Sequence, residues 1–247
     1  MGEAETAVLA VMFAVAFAIA CGGDGRKNVT RVTGDSADQP DRVAGAGAAI
    51  GQQLNRTGAV QVLFVGTSLT AGLGLDPDSA FPALIQRKAD SINLRLDATN
   101  AGLSGETSAG LRRRIAWLLT NPGSYVVLET GANDGLRGLD VDSTRGNIEA
   151  IINAIRDSKP GVQIFLVQME APTNMGEVYT KEFHEMYAQI ATTKRTRLIP
   201  FLLEGVAGVR DLNQADGIHP NERGERIVAQ NLWRSIGPLI VPGLRVR

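Results

Sequence analysis

The stretch from Val62 to Gly74, VLFVGTSLTAGLG, constrains this chain more than any other. A short, unbroken apolar run reads as a strand buried on both faces, and such strands belong to parallel sheets covered by helices. The run gives way at once to small, polar and glycine residues. Ser68 therefore stands just past the strand's last valine, at the carboxyl end, where open α/β sheets place their ligands. Taken alone, the pattern also fits an ordinary strand-to-helix loop whose serine caps the next element. The rest of the chain must supply a base, an acid and an oxyanion site before a nucleophile can be argued.

The domain that could do so begins near Ala59 and runs to Arg247. Phe81 to Ala89 reads as a helix with Pro82 in its first turn. Ile92 to Ala98 alternates apolar and polar residues and reads as a strand, with Asn100 to Thr107 a loop. Leu111, Ile115, Leu118 and Leu119 share a helical face, and Asn121-Pro122-Gly123 ends that helix. Tyr125 to Thr130 and Val162 to Met169 are further buried strands. Ile148, Ile151, Ile152 and Ile155 mark the helix between them, which Lys159-Pro160-Gly161 closes. Tyr179 to Thr193 reads as a helix, Leu198 to Phe201 as a short strand and Glu222 to Ile236 as the closing helix. This alternation predicts an α/β fold, a parallel sheet with helices on both faces.

Upstream, residues 7–20 form the apolar run AVLAVMFAVAFAIA, which ends at Cys21. It is short for a membrane span but suits the core of a signal peptide. Ala18-Ile19-Ala20-Cys21 resembles a bacterial lipobox, which implies cleavage before Cys21 and lipidation of that cysteine. Glu3 and Glu5 stand where a signal peptide carries positive charge. Residues 1–21 are thus expected to direct export, to the periplasm or to a membrane through Cys21. Residues 22–58, rich in Gly, Ala, Asp, Gln and Arg, are expected to form a flexible linker.

Composition narrows the chemistry. Lys and Arg number 25 against 26 Asp and Glu, so no basic surplus points to a nucleic-acid partner. Cys21 is the one cysteine, which excludes an intrachain disulfide. There are two histidines, His184 and His219, too few for a poly-histidine zinc site, and any histidine base must be one of them. His184 falls in a polar helical run and reads as surface. Asp76-Pro77-Asp78 lacks a calcium-binding loop, and Gly72-x-Gly74 lacks the third glycine of a dinucleotide fingerprint. Neither metal nor cofactor is expected.

Four segments can converge on the carboxyl edge of a parallel sheet: Ser68, the loop Asn100 to Thr107, Gly131-Ala132-Asn133-Asp134, and Asp216-Gly217-Ile218-His219-Pro220. A serine hydroxyl needs a base to take its proton, histidine titrates in the right range, and a carboxylate fixes the imidazole tautomer. Asp216 lies three residues before His219, so a tight turn can set the two side by side. For the oxyanion, Gly105 can present a backbone N–H closely because it has no side chain, Asn133 its amide, and Ser68 its own N–H. Each piece also has a bland reading: His219-Pro220 can lead into a helix, and Asn133-Asp134-Gly135 can be a turn. Gly66-x-Ser68-x-Thr70 is not the G-x-S-x-G elbow, which disfavours the common α/β-hydrolase fold.

In this order, Gly66-Thr67-Ser68-Leu69, Gly105, Gly131-x-Asn133-Asp134 and Asp216-x-x-His219 resemble the SGNH (GDSL) hydrolases. NAGLSGETSAGL, GANDGLRGL and DGIHPN look most like the bacterial thioesterase I, lysophospholipase and arylesterase branch. The resemblance spans Val62 to the C-terminus. It implies a flavodoxin-like three-layer α/β/α sandwich with about five parallel strands, no metal, and a Ser-His-Asp mechanism on small-molecule esters or thioesters. By matching position it implies Ser68 as nucleophile, His219 as base, Asp216 as its orienter, and Ser68, Gly105 and Asn133 as the oxyanion hole. Aryl and short-to-medium acyl esters are the substrates it implies first. Acyl-CoA thioesters, lysophospholipids and acetylated carbohydrates are alternatives within the class, and a non-catalytic lipoprotein binding module is the alternative outside it. The family's aspartate before the serine is Thr67 here. Its hydroxyl is expected to support the loop as an uncharged acceptor of backbone hydrogen bonds.

Overall fold

The computed structural model describes residues 58–241, which lie within the second of two compact units, Gln53–Arg247. The lipobox-like Cys21 and all of the linker but Gly58 fall outside the described residues.

Five strands form one parallel sheet in the order β2-β1-β3-β4-β5: β1 (Val60–Gly66), β2 (Leu96–Gly102), β3 (Tyr125–Glu129), β4 (Gln163–Val167) and β5 (Arg197–Ile199). The apolar runs form these strands because both faces are covered. Phe64, Val65, Val126, Leu128, Leu166 and Val167 are essentially inaccessible to solvent. Between the strands lie α1 (Ser68–Ala71), α2 (Phe81–Ser91), α3 (Ser108–Leu118), α4 (Ala132–Leu136), α5 (Val141–Ser158) and α6 (Glu177–Thr193), and α7 (Glu222–Ile240) closes the chain. Helices α2 and α7 pack together on one face, while α3, α5 and α6 form a second row on the other. The strand order reverses between β1 and β3. That is the topological switch point, where doubly wound sheets open a crevice.

The expected elements are all present with shifted boundaries: α7 runs on to Ile240, beyond Ile236, β5 is Arg197–Ile199 where Leu198 to Phe201 was expected, and β2 moves most. The second strand starts at Leu96, not Ile92, and continues through Gly102 into the segment expected to be loop. Helix α2 runs on to Ser91, and Asn93 takes a left-handed φ of 56° in the turn that follows. The alternation at Ile92 to Ala98 thus spans a helix end and a turn. Polar Asp97, Thr99 and Asn100 join the strand because β1 pairs with them residue by residue, from Val60 with Leu96 to Gly66 with Gly102. Tertiary pairing outweighs local composition at this strand.

A carboxylic acid ties the two helices of the α2–α7 layer. Glu225, 1% exposed on α7, accepts the Phe81 backbone N–H at 2.8 Å, satisfying an orphan donor at the start of α2. Burial pushes its pKa up to about 8, only partly offset by the Phe81 hydrogen bond. An acid whose folded pKa is raised favours the fold fully below its unfolded pKa, and that contribution is lost as pH rises towards the folded value. Glu225→Gln keeps an acceptor without the charge. Thermal melts should show it near wild type at pH 5 and more stable than wild type at pH 8–9, and equal melting at both pH values would contradict a protonated Glu225.

Candidate active site

The turn after β1 places Ser68 at the first position of α1, with Thr67 as an extended N-cap residue. As the opening residue of a helix, Ser68 has a backbone N–H with no intrahelical acceptor. The turn is held from beneath by Glu129, the last residue of β3. Its carboxyl accepts the Thr67 N–H at 2.7 Å, the Thr67 hydroxyl at 3.0 Å from each oxygen, and the Thr70 hydroxyl at 2.9 Å. Gly66 must be glycine for this contact, since a Cβ there would lie 1.9 Å from Thr70 Oγ1 and 2.5 Å from Glu129 Oε2. The expectation for Thr67 is therefore corrected: its hydroxyl donates to a buried carboxyl and does not accept from the backbone. Sequence reasoning passed over Glu129, although an ionisable residue closing the apolar run Tyr-Val-Val-Leu-Glu was a usable signal. Complete burial raises its pKa, against the hydrogen bonds from Thr67 and Thr70.

The remaining candidates come from three other loops. His219 Nε2 lies 2.8 Å from Ser68 Oγ, and its Nδ1 lies 2.7 Å from Asp216 Oδ2. Asp216 Oδ1 accepts the backbone N–H groups of Ile218 and His219 at 2.9 and 3.0 Å, which curls the Asp-x-x-His segment into the tight turn that its spacing predicted. The carboxyl sits at a pKa of about 2, lowered first by the His219 side chain and then by these two N–H donors. Gln214 N–H to His219 O at 2.7 Å and the Asn213–Pro220 bridge close the loop, and Asn221 caps α7 behind it.

On the other side, Asn133 and Gly105 face the serine from the loops after β3 and β2. One Asn133 amide N–H donates to Glu106 O at 3.0 Å, which leaves the second free. Buried Asp134 accepts the Ser108 N–H at 2.8 Å and the Ser108 hydroxyl at 2.6 Å, so the two loops are joined at a second point. Glu106 is in turn gripped by two Arg114 nitrogens, both at 2.6 Å. The backbone at Gly105 adds a second reason for glycine to the one expected. A Cβ there would meet nothing within 4 Å, but its φ is 77°, a conformation that glycine adopts without strain.

A cavity of about 750 Å³ opens over these groups, within the range of small-molecule sites. Its walls include Ser68, Gly105, Asn133 and His219, and apolar Leu73, Leu136, Met169, Phe201, Leu203 and Ile218. A second cavity, of about 210 Å³ between the end of β5 and α7, shares Phe201 with it but is lined by none of Ser68, Gly105, Asn133 and His219. Among the described residues no cluster of three or more metal-ligating side chains occurs.

The GDSL-like Lipase/Acylhydrolase family model matches residues 64–227. The chain belongs to this family. It is 37% identical to esterase TesA of Pseudomonas aeruginosa over 74% of its own length and 90% of that protein. It is 32% identical to thioesterase 1/protease 1/lysophospholipase L1 of Escherichia coli K12, over 72% and 84%. Among solved structures it resembles the psychrotrophic esterase EstA of a Pseudoalteromonas species, in a form inhibited by monoethylphosphonate. There the TM-score is 0.70 at 31% identity, covering 73% of this chain and 98% of that one. The chain is thus a carboxylic ester hydrolase of the esterase, thioesterase and lysophospholipase type.

Thr67→Asp, which restores the family's residue, sets a second carboxyl against Glu129. Two buried carboxyls in contact can persist only by sharing a proton. The variant's melting temperature should therefore fall further below wild type as pH rises from 5 to 9, and adding Glu129→Gln should remove that pH dependence. A pH-independent effect of Thr67→Asp would mean that position 67 does not face the carboxyl.

Proposed function

We propose that this protein is a serine esterase in which Ser68, His219 and Asp216 act as the triad and the Ser68 N–H, Gly105 N–H and Asn133 amide form the oxyanion hole. The continuous hydrogen-bond chain from Ser68 Oγ through the imidazole to Asp216, at the floor of the switch-point cavity, carries this reading. With Asp216 ionised, Nδ1 holds the ring proton and Nε2 is left as the base. Nε2 takes the Ser68 proton as Oγ attacks the ester carbonyl carbon. Charge develops on the carbonyl oxygen, where the three donors stabilise it. The Nε2 proton then passes to the departing alcohol or thiol, and water, deprotonated by the same nitrogen, releases the acyl group from Ser68.

The apolar walls favour an acyl chain or an aromatic ring over a sugar, which supports aryl and short-to-medium acyl esters as substrates. Acyl thioesters and lysophospholipids are the alternatives that the relatives' names favour. The apolar run before Cys21 supports an exported protein, with Cys21 as its membrane tether.

A fluorophosphonate probe should label Ser68 stoichiometrically and abolish hydrolysis of p-nitrophenyl butyrate. Absence of labelling in a folded, active protein would assign the nucleophile elsewhere. Ser68→Ala and His219→Ala should each lower kcat by on the order of 10³-fold or more, and the double variant should be little worse, since triad members act as a unit. Losses that multiply would argue against a shared mechanism. Asn133→Ala should lower kcat by about 10²- to 10³-fold with little change in KM if its amide meets the transition-state oxyanion. An effect confined to KM would make Asn133 a substrate-binding group instead.

A further inference from the structure

One charged side chain in the cavity wall has no part in the proposed chemistry. Glu170 follows β4, between Met169 and Ala171, and lines the cavity with its side chain 31% exposed. Two neighbours hold it: Gln168 Nε2 at 2.7 Å and His184 Nδ1 at 2.8 Å, both on Oε1. No protein group among the described residues hydrogen-bonds to Oε2. His184, read from the sequence as a surface residue, is thus exposed yet bonded to a carboxylate in the cavity wall.

Among the described residues, the lining holds no Lys or Arg and no second carboxylate. Arg137 comes near from the opposite side, where it donates to Gly105 O at 3.0 Å, but it is not part of the wall. The β1 and β4 strands are separated by β3 alone, so Glu170 lies about two strand spacings, or roughly 10 Å, from the nucleophile along the sheet edge. A charge on a cavity wall lined mostly by apolar side chains acts through less water than one on an open surface, and its field reaches a substrate group held in the same cavity.

We propose that Glu170 is a specificity-determining residue, forming a subsite that favours esters carrying a positively charged group and disfavours anionic ones. This rests on the serine esterase reading and deepens it by naming a substrate class. It also sets cationic esters above polyanionic thioesters such as acyl-CoA as substrates for this chain.

The test uses p-nitrophenyl esters of medium-chain acids that end in a trimethylammonium, a tert-butyl or a carboxylate group, so that leaving group and chemistry stay constant. A second series compares butyrylthiocholine with a neutral S-alkyl thiobutyrate, which places the charge on the leaving side. Assays run at pH 8, above the ordinary imidazole range. The readout is the ratio of kcat/KM for the cationic substrate to that for its neutral partner, and the same ratio for the anionic one. Glu170→Gln should lower the cationic ratio and raise the anionic ratio, each by about tenfold in at least one series, and Glu170→Lys should invert the preference. The wild-type preference should shrink in 1 M salt. A merely structural role would change every substrate alike and leave the ratios where they were. Unchanged ratios in both series would overturn the proposal. Failure of the esterase reading is separately visible, as absence of Ser68-dependent turnover of the neutral ester.

Discussion

The site depends on one constraint, the parallel alignment of β1, β2 and β3. Parallel pairing puts the carboxyl ends of all three on one edge, and the register sets how far each reaches. Gly66 pairs with Gly102 and Val65 with Leu128, so three chain segments leave the sheet nearly level with one another. A shift of one residue would turn Glu129 to the other face of the sheet and away from the Ser68 turn. The buried valines, leucines and isoleucines oppose such a slip, because it would also reverse every core side chain. Ser68 and the donors that surround it are thus placed by hydrophobic burial some distance away, without long side chains having to reach for one another.

Buried acids then fix what the sheet has brought close. Glu129, Asp134 and Glu225 are each about 1% exposed or less, and each accepts a backbone N–H near the start of a helix: Thr67 before α1, Ser108 in α3 and Phe81 in α2. Taking a carboxyl out of water is unfavourable unless its lone pairs are used. Glu129 and Asp134 use theirs on hydroxyls as well as amides, and both lie beneath the loops of the candidate site. Glu225 accepts one amide and has its pKa raised to about 8. The site is therefore stiffened by polar groups that never meet substrate.

This division explains what could be read from the sequence. Apolar runs and helical stripes report directly on burial, so the five strands and the main helices were legible, and so was the fold that the resemblance implied. Ser68, Gly105, Asn133, Asp216 and His219 were legible as candidates because a parallel sheet can bring its strand ends together, and the resemblance implied their roles. The bounds of β2 were not, because the alternation from Ile92 spans the end of α2 and a turn, and Asn100 to Gly102 are strand through pairing with β1. Glu129 carried a local signal, an ionisable residue closing an apolar run, but its role did not show, because its partner Thr67 is 62 positions away. The departure at Thr67 was visible, but its meaning required knowing which carboxyl it faces. Gly105 was identified for its missing side chain, and its backbone angle, which only the structure shows, calls for glycine as well.

Chemistry and selectivity draw on different parts of the frame. The proposed nucleophile, donors and histidine come from segments tied by short hydrogen bonds to β1, β3 and α7, where a displacement of even a fraction of an ångström would weaken transition-state contacts. The wall that a substrate's distal part meets comes from the loops after β4 and β5, around Met169, Glu170, Phe201 and Leu203. These loops can change residue type without disturbing Glu129 or Asp134, so a carboxylate can enter the wall at Glu170 while the hydrogen-bond chain through His219 stays intact. Relatives of this chain carry the names esterase, thioesterase and arylesterase. A sheet edge that holds the reacting groups rigidly leaves the wall free to determine which ester fits.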